Sequence, residues 1–148
     1  MKRVLMILVG LGLAVAVSSA TEKAVKMQDL PEAVRKTVQQ QAKGAELKGL
    51  SKETENGKTF YEAETRVKGH GRDILIDSAG NVVEVEEETA LDSIPSPARA
   101  AIERKAAGGK ITRVETVTKG GTVAYEAAVA KAGKRSEVAV AADGSSTK

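Results

Sequence analysis

Cysteine and tryptophan are missing from this chain, and Phe60, Tyr61 and Tyr125 are the only aromatic side chains it has. Without cysteine there is no disulfide, no catalytic thiol, no thiolate metal site and no redox pair. A single histidine, His70, cannot supply the two or three imidazoles of a typical zinc site. It lies between Gly69 and Gly71, a turn-like setting that is usually solvated and ill suited to a Ser–His–acid triad. No glycine-rich loop followed by lysine and a hydroxyl residue is there to cradle a phosphate. So few aromatics cannot build a stacking platform for bases, and no stretch is concentrated in basic residues, so nucleic-acid binding is excluded. Removing Lys2 and Arg3 from the 23 basic side chains leaves 21 against 20 acidic ones, so most of the excess positive charge belongs to the first few residues.

One uninterrupted apolar stretch is present, at the N-terminus. Lys2 and Arg3 precede a run from Val4 to Val17, and Ser18-Ser19-Ala20 follows it. A basic start, a short apolar core and small residues before a cut describe a secretory signal peptide over residues 1–20. Cleavage is expected after Ala20, with Ala14-Val15-Ala16 as an earlier alternative. The run is shorter than the roughly 20 residues a helix needs to cross a bilayer, so no membrane association is expected after cleavage. The missing cysteine rules out a thioether-linked lipid. An exported domain with no disulfide must be held together by packing, a habit commoner in bacterial envelopes than in small eukaryotic secreted modules.

What is abundant is internal similarity. Residues 29–84 align with residues 93–148 without a gap, matching Gly44 with Gly108, Gly57 with Gly121, Gly69 with Gly133 and Gly80 with Gly144. Tyr61-Glu62-Ala63 recurs as Tyr125-Glu126-Ala127, and Leu30, Val38, Ile74 and Ile76 match Ile94, Ile102, Val138 and Val140. Glycines mark special backbone turns and apolar residues mark a core, so this pattern keeps a fold.

Each copy predicts one helix followed by strands. Asp29 and Ser93 are candidate N-caps, Pro31 and Pro95 fit a first turn, and Gly44 and Gly108 close the helices. Leu30, Val34, Val38 and Ala42, like Ile94, Ala98, Ile102 and Ala106, recur every four residues and give one apolar stripe. The period then changes to two. Strands are expected over 47–54, 58–67, 72–77 and 82–88, with Asn56-Gly57, Lys68-Gly69-His70-Gly71 and Ser78-Ala79-Gly80-Asn81 as turns. A charged linker is expected from Glu86 to Asp92, and the second copy stops where its fourth strand should begin. The fold class is therefore α+β: two tandem repeats, each one helix packed on a three- to four-stranded antiparallel sheet. The domains are expected at 21–90 and 91–148, either packed on each other or sharing one sheet.

The order helix, glycine, hairpin with Tyr61-Glu62-Ala63, then Asp73-Ile74-Leu75-Ile76-Asp77-Ser78-Ala79-Gly80-Asn81-Val82-Val83 resembles the PepSY domain. The resemblance covers residues 29–88 well and 93–144 more loosely; Ala141 stands where Asp77 would recur, and the acidic residue moves to Asp143. Tandem copies are also similar in architecture to β-lactamase-inhibitory proteins. The resemblance implies an exported binding or inhibitory module. It supplies no catalytic residues.

Function is therefore expected on a surface, with no enzyme activity and no cofactor. Period two places Phe60, Glu62, Glu64 and Arg66 opposite the helix-facing Tyr61, Ala63, Thr65 and Val67, and Leu75 opposite Ile74 and Ile76. Phe60 and Leu75 exposed among Glu62 and Glu64 would make a small apolar patch for a partner, or be covered by the second copy. The expected partner is another exported protein, such as a peptidase. The alternative is a small-ligand or cation binder, because Glu84, Glu86 and Glu88 share a strand face and hard cations favour oxygen ligands.

Overall fold

The computed structural model describes residues 22–147, so the expected signal peptide, residues 1–20, lies outside the described residues. A short strand β1 (Lys23–Ala24) and a 3-10 turn lead into helix α1 (Glu32–Gln41). Strands β2 (Glu46–Glu55), β3 (Lys58–Val67), β4 (His70–Asp77) and β5 (Val82–Thr89) follow. A second 3-10 turn opens helix α2 (Ser96–Ala106), and β6 (Lys110–Lys119), β7 (Thr122–Lys131) and β8 (Lys134–Ala141) complete the order.

The expected fold class, two repeats each with a helix on its own sheet, is overturned, and of the two arrangements expected for the copies the shared sheet is the one that forms. Strands β5 and β6 pair antiparallel from Glu84 with Lys119 to Thr89 with Val114. The result is one eight-stranded antiparallel sheet in which every strand neighbours its sequence neighbours. The expected linker from Glu86 to Asp92 is mostly β5 itself, whose outward glutamates give the strand a linker-like composition. Its inward residues alternate with those glutamates, and both its edges are paired.

Register places both helices on one face. Val85 packs against the first core and sits opposite Ile74 and Thr118, while Thr89 sits opposite Val114 of the second core. Directly opposed residues share a face, so the two cores line the same side of the sheet. Leu30, Val34 and Val38 bury against Tyr61, Ala63, Ile74 and Ile76. Ile94, Ala98, Ala101 and Ile102 bury against Val114, Ala127 and Val140. The four-residue stripe read from the sequence is the stripe that packs.

The helix starts differ from expectation. Asp29 and Ser93 lie inside the 3-10 turns, and neither helix has a side-chain cap. Leu30 and Ile94 are extended (ψ 143° and 161°) because each precedes a proline, whose ring disfavours helical backbone in the residue before it. The helices therefore begin after Pro31 and Pro95.

Hairpin chemistry follows the sequence more closely. Asn56-Gly57 turns with φ of 49° and 76°, and Lys68-Gly69 and Ala132-Gly133 repeat the double positive φ of a tight two-residue hairpin. The turn predicted at Lys68-Gly69-His70-Gly71 is shorter than expected, since His70 already pairs with Val67. After β4, Asp77 organises the next turn: one carboxylate oxygen accepts from the Ala79 and Asn81 amides, and the other from the Asn81 side chain. These hydrogen bonds hold the Asp77 carboxyl below its usual range, the Asn81 side chain contributing most. Gly80 in that turn presses on α1, where Thr37 Oγ1 donates to its carbonyl at 2.6 Å.

A candidate binding face on the open side of the sheet

Because both helices occupy one side, the other side of the sheet carries no helix among the described residues. Register settles what stands there. Gly49, Glu64, Asp73 and Glu86 are successive cross-strand partners on β2, β3, β4 and β5, and Val117 of β6 continues the row. Glu115 and Glu126 are direct partners on β6 and β7, with Glu88 beside Glu115 on β5. Two rows of three carboxylates each therefore run across adjacent strands, which lie about 4.8 Å apart. Like charges directly opposite one another destabilise a sheet, so packing alone offers no reason for these rows. Gly49 makes room for the first of them, as the Glu64 carboxylate lies over the space where a side chain at 49 would stand.

In and beside the rows the face is half-buried by its own side chains. Glu62, Asp73, Glu84 and Glu115 are buried, and so are Ser51 and Glu53 near β1. Residues Glu62, Asp73, Leu75, Glu84 and Glu86 line a crevice of about 10 Å³, the size one water or one cationic head group fills. Two cations reach in from β6: Lys119 pairs with Glu84 at 2.9 Å and Arg113 with Glu115 at 3.0 Å. Glu88 accepts from the Gly71 amide at 3.1 Å. The Oγ of Ser51, opposite Glu62, is buried without a hydrogen-bond partner.

Electrostatics follow from this crowding. Burial pushes the Glu86 carboxyl up to about 8, and the nearby Glu115, Glu126, Glu84 and Glu62 raise it further. Burial likewise raises Glu126 to about 7, helped by Glu137, Glu84 and Glu115 and opposed by Arg113. One carboxylate oxygen each from Asp73, Glu86 and Glu115 falls within a mutual distance of 4.8 Å. Oxygens on opposite sides of a calcium ion, each at about 2.4 Å, would be that far apart.

The residues expected to form the partner surface are placed unevenly. Phe60 and Glu64 are partly exposed on the open face, and Glu62 is buried there. Leu75 is on that face too, opposite Glu62 and Glu84, but it is only 5% exposed. The expected exposed apolar pair is therefore corrected: Leu75 is the floor of an acidic crevice, and the carboxylates around it take its exposure. Glu84, Glu86 and Glu88 do share a face, yet they diverge, one pairing with Lys119, one joining Asp73 and Glu115, one accepting from an amide. Asp73, Glu115 and Glu126 were not singled out from the sequence. Glu115 and Glu126 are the single acidic residues of β6 and β7, too sparse a signal to read from sequence, and they become a cluster with Asp73 only once the strands are paired.

Among the described residues no helix is long and apolar enough to cross a membrane. No model of a known protein family matches the sequence, and no curated protein is similar to it. Solved structures do share the fold. A DUF2874 family protein from Bacteroides ovatus superposes with a TM-score of 0.63 at 16% identity, over 80% of this chain and 85% of that one. A predicted periplasmic protein from Bacteroides eggerthii gives 0.66 at 14% identity, covering 80% and 86%. A BLIP-like protein from Bacteroides fragilis gives 0.58 at 15% identity, covering 80% and 84%. The BLIP-like arrangement of helices and sheet is thus the fold of this chain.

Proposed function

We propose that the chain is an exported, non-catalytic binding module that docks on another envelope or secreted protein through the open face of its sheet. A peptidase is one candidate partner. The observation that carries the reading is the pair of carboxylate rows on the helix-free face, a costly arrangement that the packing of the two cores does not require. The leader-like residues 1–20 and the periplasmic assignment of the Bacteroides eggerthii structure support export. The BLIP-like structure from Bacteroides fragilis, whose fold this chain shares, supports a binding role.

Docking on this face makes Phe60 and Glu64 contact residues, because they are the exposed members of the expected surface. Envelope extract passed over the wild-type chain and over a Phe60→Ser, Glu64→Lys variant separates contact from packing. The expected result is a protein retained by the wild type and lost by the variant, with little change in melting temperature. Equal retention by both chains would sink the reading.

A second reading, a cation-binding envelope protein, is favoured by the 4.8 Å grouping of Asp73, Glu86 and Glu115 on three adjacent strands. Hard divalent cations bind such oxygen sets. Calorimetry with calcium, zinc and copper, and melting curves in their presence, decide it. No heat and no rise in melting temperature would remove this reading and leave docking standing.

A further inference from the structure

We propose that the occupant of the open face is a basic polypeptide surface, a partner whose lysine and arginine side chains seat on the two carboxylate rows. This rests on the docking reading and deepens it by fixing the partner's chemistry.

Three observations lead there. First, register stacks Glu64, Asp73 and Glu86 in one cross-strand row and Glu88, Glu115 and Glu126 in another. Second, the face is built rather than merely acidic: Glu62, Asp73, Glu84 and Glu115 are buried, and a crevice floored by Leu75 opens among them. Third, the Ser51 Oγ is 93% withdrawn from solvent by its residue's burial, stands opposite Glu62 on this face and finds no partner among the described residues. A buried hydroxyl without a partner costs free energy, and an ammonium or guanidinium that parts the Glu62 side chain from it would donate to it.

Other occupants fail on charge or on polarity. A second copy of this chain would bring the same rows against themselves, and like-charge juxtaposition opposes such docking. Nucleic acid carries the same sign. An apolar partner finds little to cover, because Leu75 and Val117 are already 5% and 8% exposed beneath the carboxylates. A cationic side chain meets carboxylates already gathered and partly stripped of water, so little is spent on arranging them. The size of the crevice suits one ammonium head.

Docking is also linked to protons. Around Glu86 stand Glu62 on β3, Asp73 on β4, Glu84 and Glu88 on β5, Glu115 and Lys119 on β6 and Glu126 on β7. Around Glu126 stand Glu137 on β8, Glu84 on β5, and Glu115 and the opposing Arg113 on β6. This crowding holds a share of protons on Glu86 and Glu126 near neutrality. A cation seated there displaces them, so binding tightens as pH rises.

The test is calorimetric titration of the full chain with a synthetic peptide of alternating lysine and serine, and with a glutamate–serine peptide as control. The lysine peptide is expected to bind, to weaken steeply between ~50 and ~200 mM salt as screening grows, and to bind more tightly at about pH 9 than at about pH 6. A Glu62→Gln, Glu86→Gln, Glu115→Gln variant should lose ~10-fold or more in affinity. Glu103→Gln, on the exposed side of α2, should lose none. Glu86→Gln alone relieves repulsion and should also weaken lysine-peptide binding, which keeps the test readable should loss of the Arg113–Glu115 pair lower the melting curve of the triple variant. Absence of lysine-peptide binding up to millimolar concentration, equal binding of the glutamate peptide, or equal binding by the triple variant would each overturn the inference. The docking reading itself stands or falls separately, on the extract experiment with Phe60 and Glu64.

Discussion

Replacing Gly80 by alanine is expected to cost about 3 kcal/mol, combining a left-handed backbone penalty with a steric clash. Gly80 has φ +87°, and a Cβ added there would lie 2.9 Å from the carbonyl carbon and oxygen of Ala33 in the first turn of α1. The backbone on both sides of the contact is pinned. Gly80 N donates to the Asp77 carbonyl at 3.0 Å, and its own carbonyl accepts from Thr37. Neither the turn nor the helix can yield without lifting α1 off Ile74 and Ile76, so the melting temperature should fall by about 10 °C. Gly57 is the internal control: its φ is +76°, but an added Cβ there meets nothing within 4 Å. Gly57→Ala should therefore cost only about 1 kcal/mol, the strain alone. Thermal or urea melts of both variants check this, and equal losses would mean that the helix–turn contact carries no weight.

The second large effect is a dependence of stability on pH that runs against the usual carboxylate trend. The Glu86 carboxyl rises from an ordinary 4.5 to about 8 in the folded chain, and Glu126 from 4.5 to about 7. Between those limits the folded state holds more protons than the unfolded one, so stability falls as pH rises. The contribution is complete below about pH 4.5, is lost progressively up to about 8, and changes no further above it. Glu86→Gln removes the ionisation that the neighbours oppose. It should stabilise the chain by about 2 kcal/mol above pH 8 and make little difference near pH 4.5, the effect being moderated by partial exposure to solvent. Urea midpoints of both chains from about pH 5 to about pH 9 test this through the linkage slope. A wild-type midpoint that is flat across the range, or a variant no more stable at the alkaline end, would falsify the crowding of these carboxylates.

Much of the local structure was readable in advance because it depends on near neighbours in the chain. Val34 and Val38 lie one helical turn apart and can meet a core together. Asn56-Gly57 joins its strands with two residues because both can take positive φ. The helix starts were misread for a local reason as well: a good capping side chain at 29 or 93 cannot act when the following proline holds residues 30 and 94 extended. The expected likeness to β-lactamase-inhibitory proteins is met by a solved BLIP-like structure of the same fold, whereas no family model matches to bear out the PepSY resemblance.

By itself the sequence determined the periods, the turns and which side of each element is apolar, all properties of residues within a few positions of one another. It also determined that no thiol or histidine pair could make this a familiar catalytic or zinc centre. Only the tertiary structure decided that β5 joins β6, choosing one shared sheet over two copies packed on each other. That pairing brings Glu115 and Glu126 beside Glu86 and Asp73, residues far apart in the chain, and among the described residues it leaves one whole face without a helix. The physical reason is that alternation tells which way a side chain points but not which strand lies beside it. Strand pairing is chosen by burial and by hydrogen bonding over the whole sheet, and the carboxylate rows, the crevice above Leu75 and the raised Glu86 exist only after that choice is made.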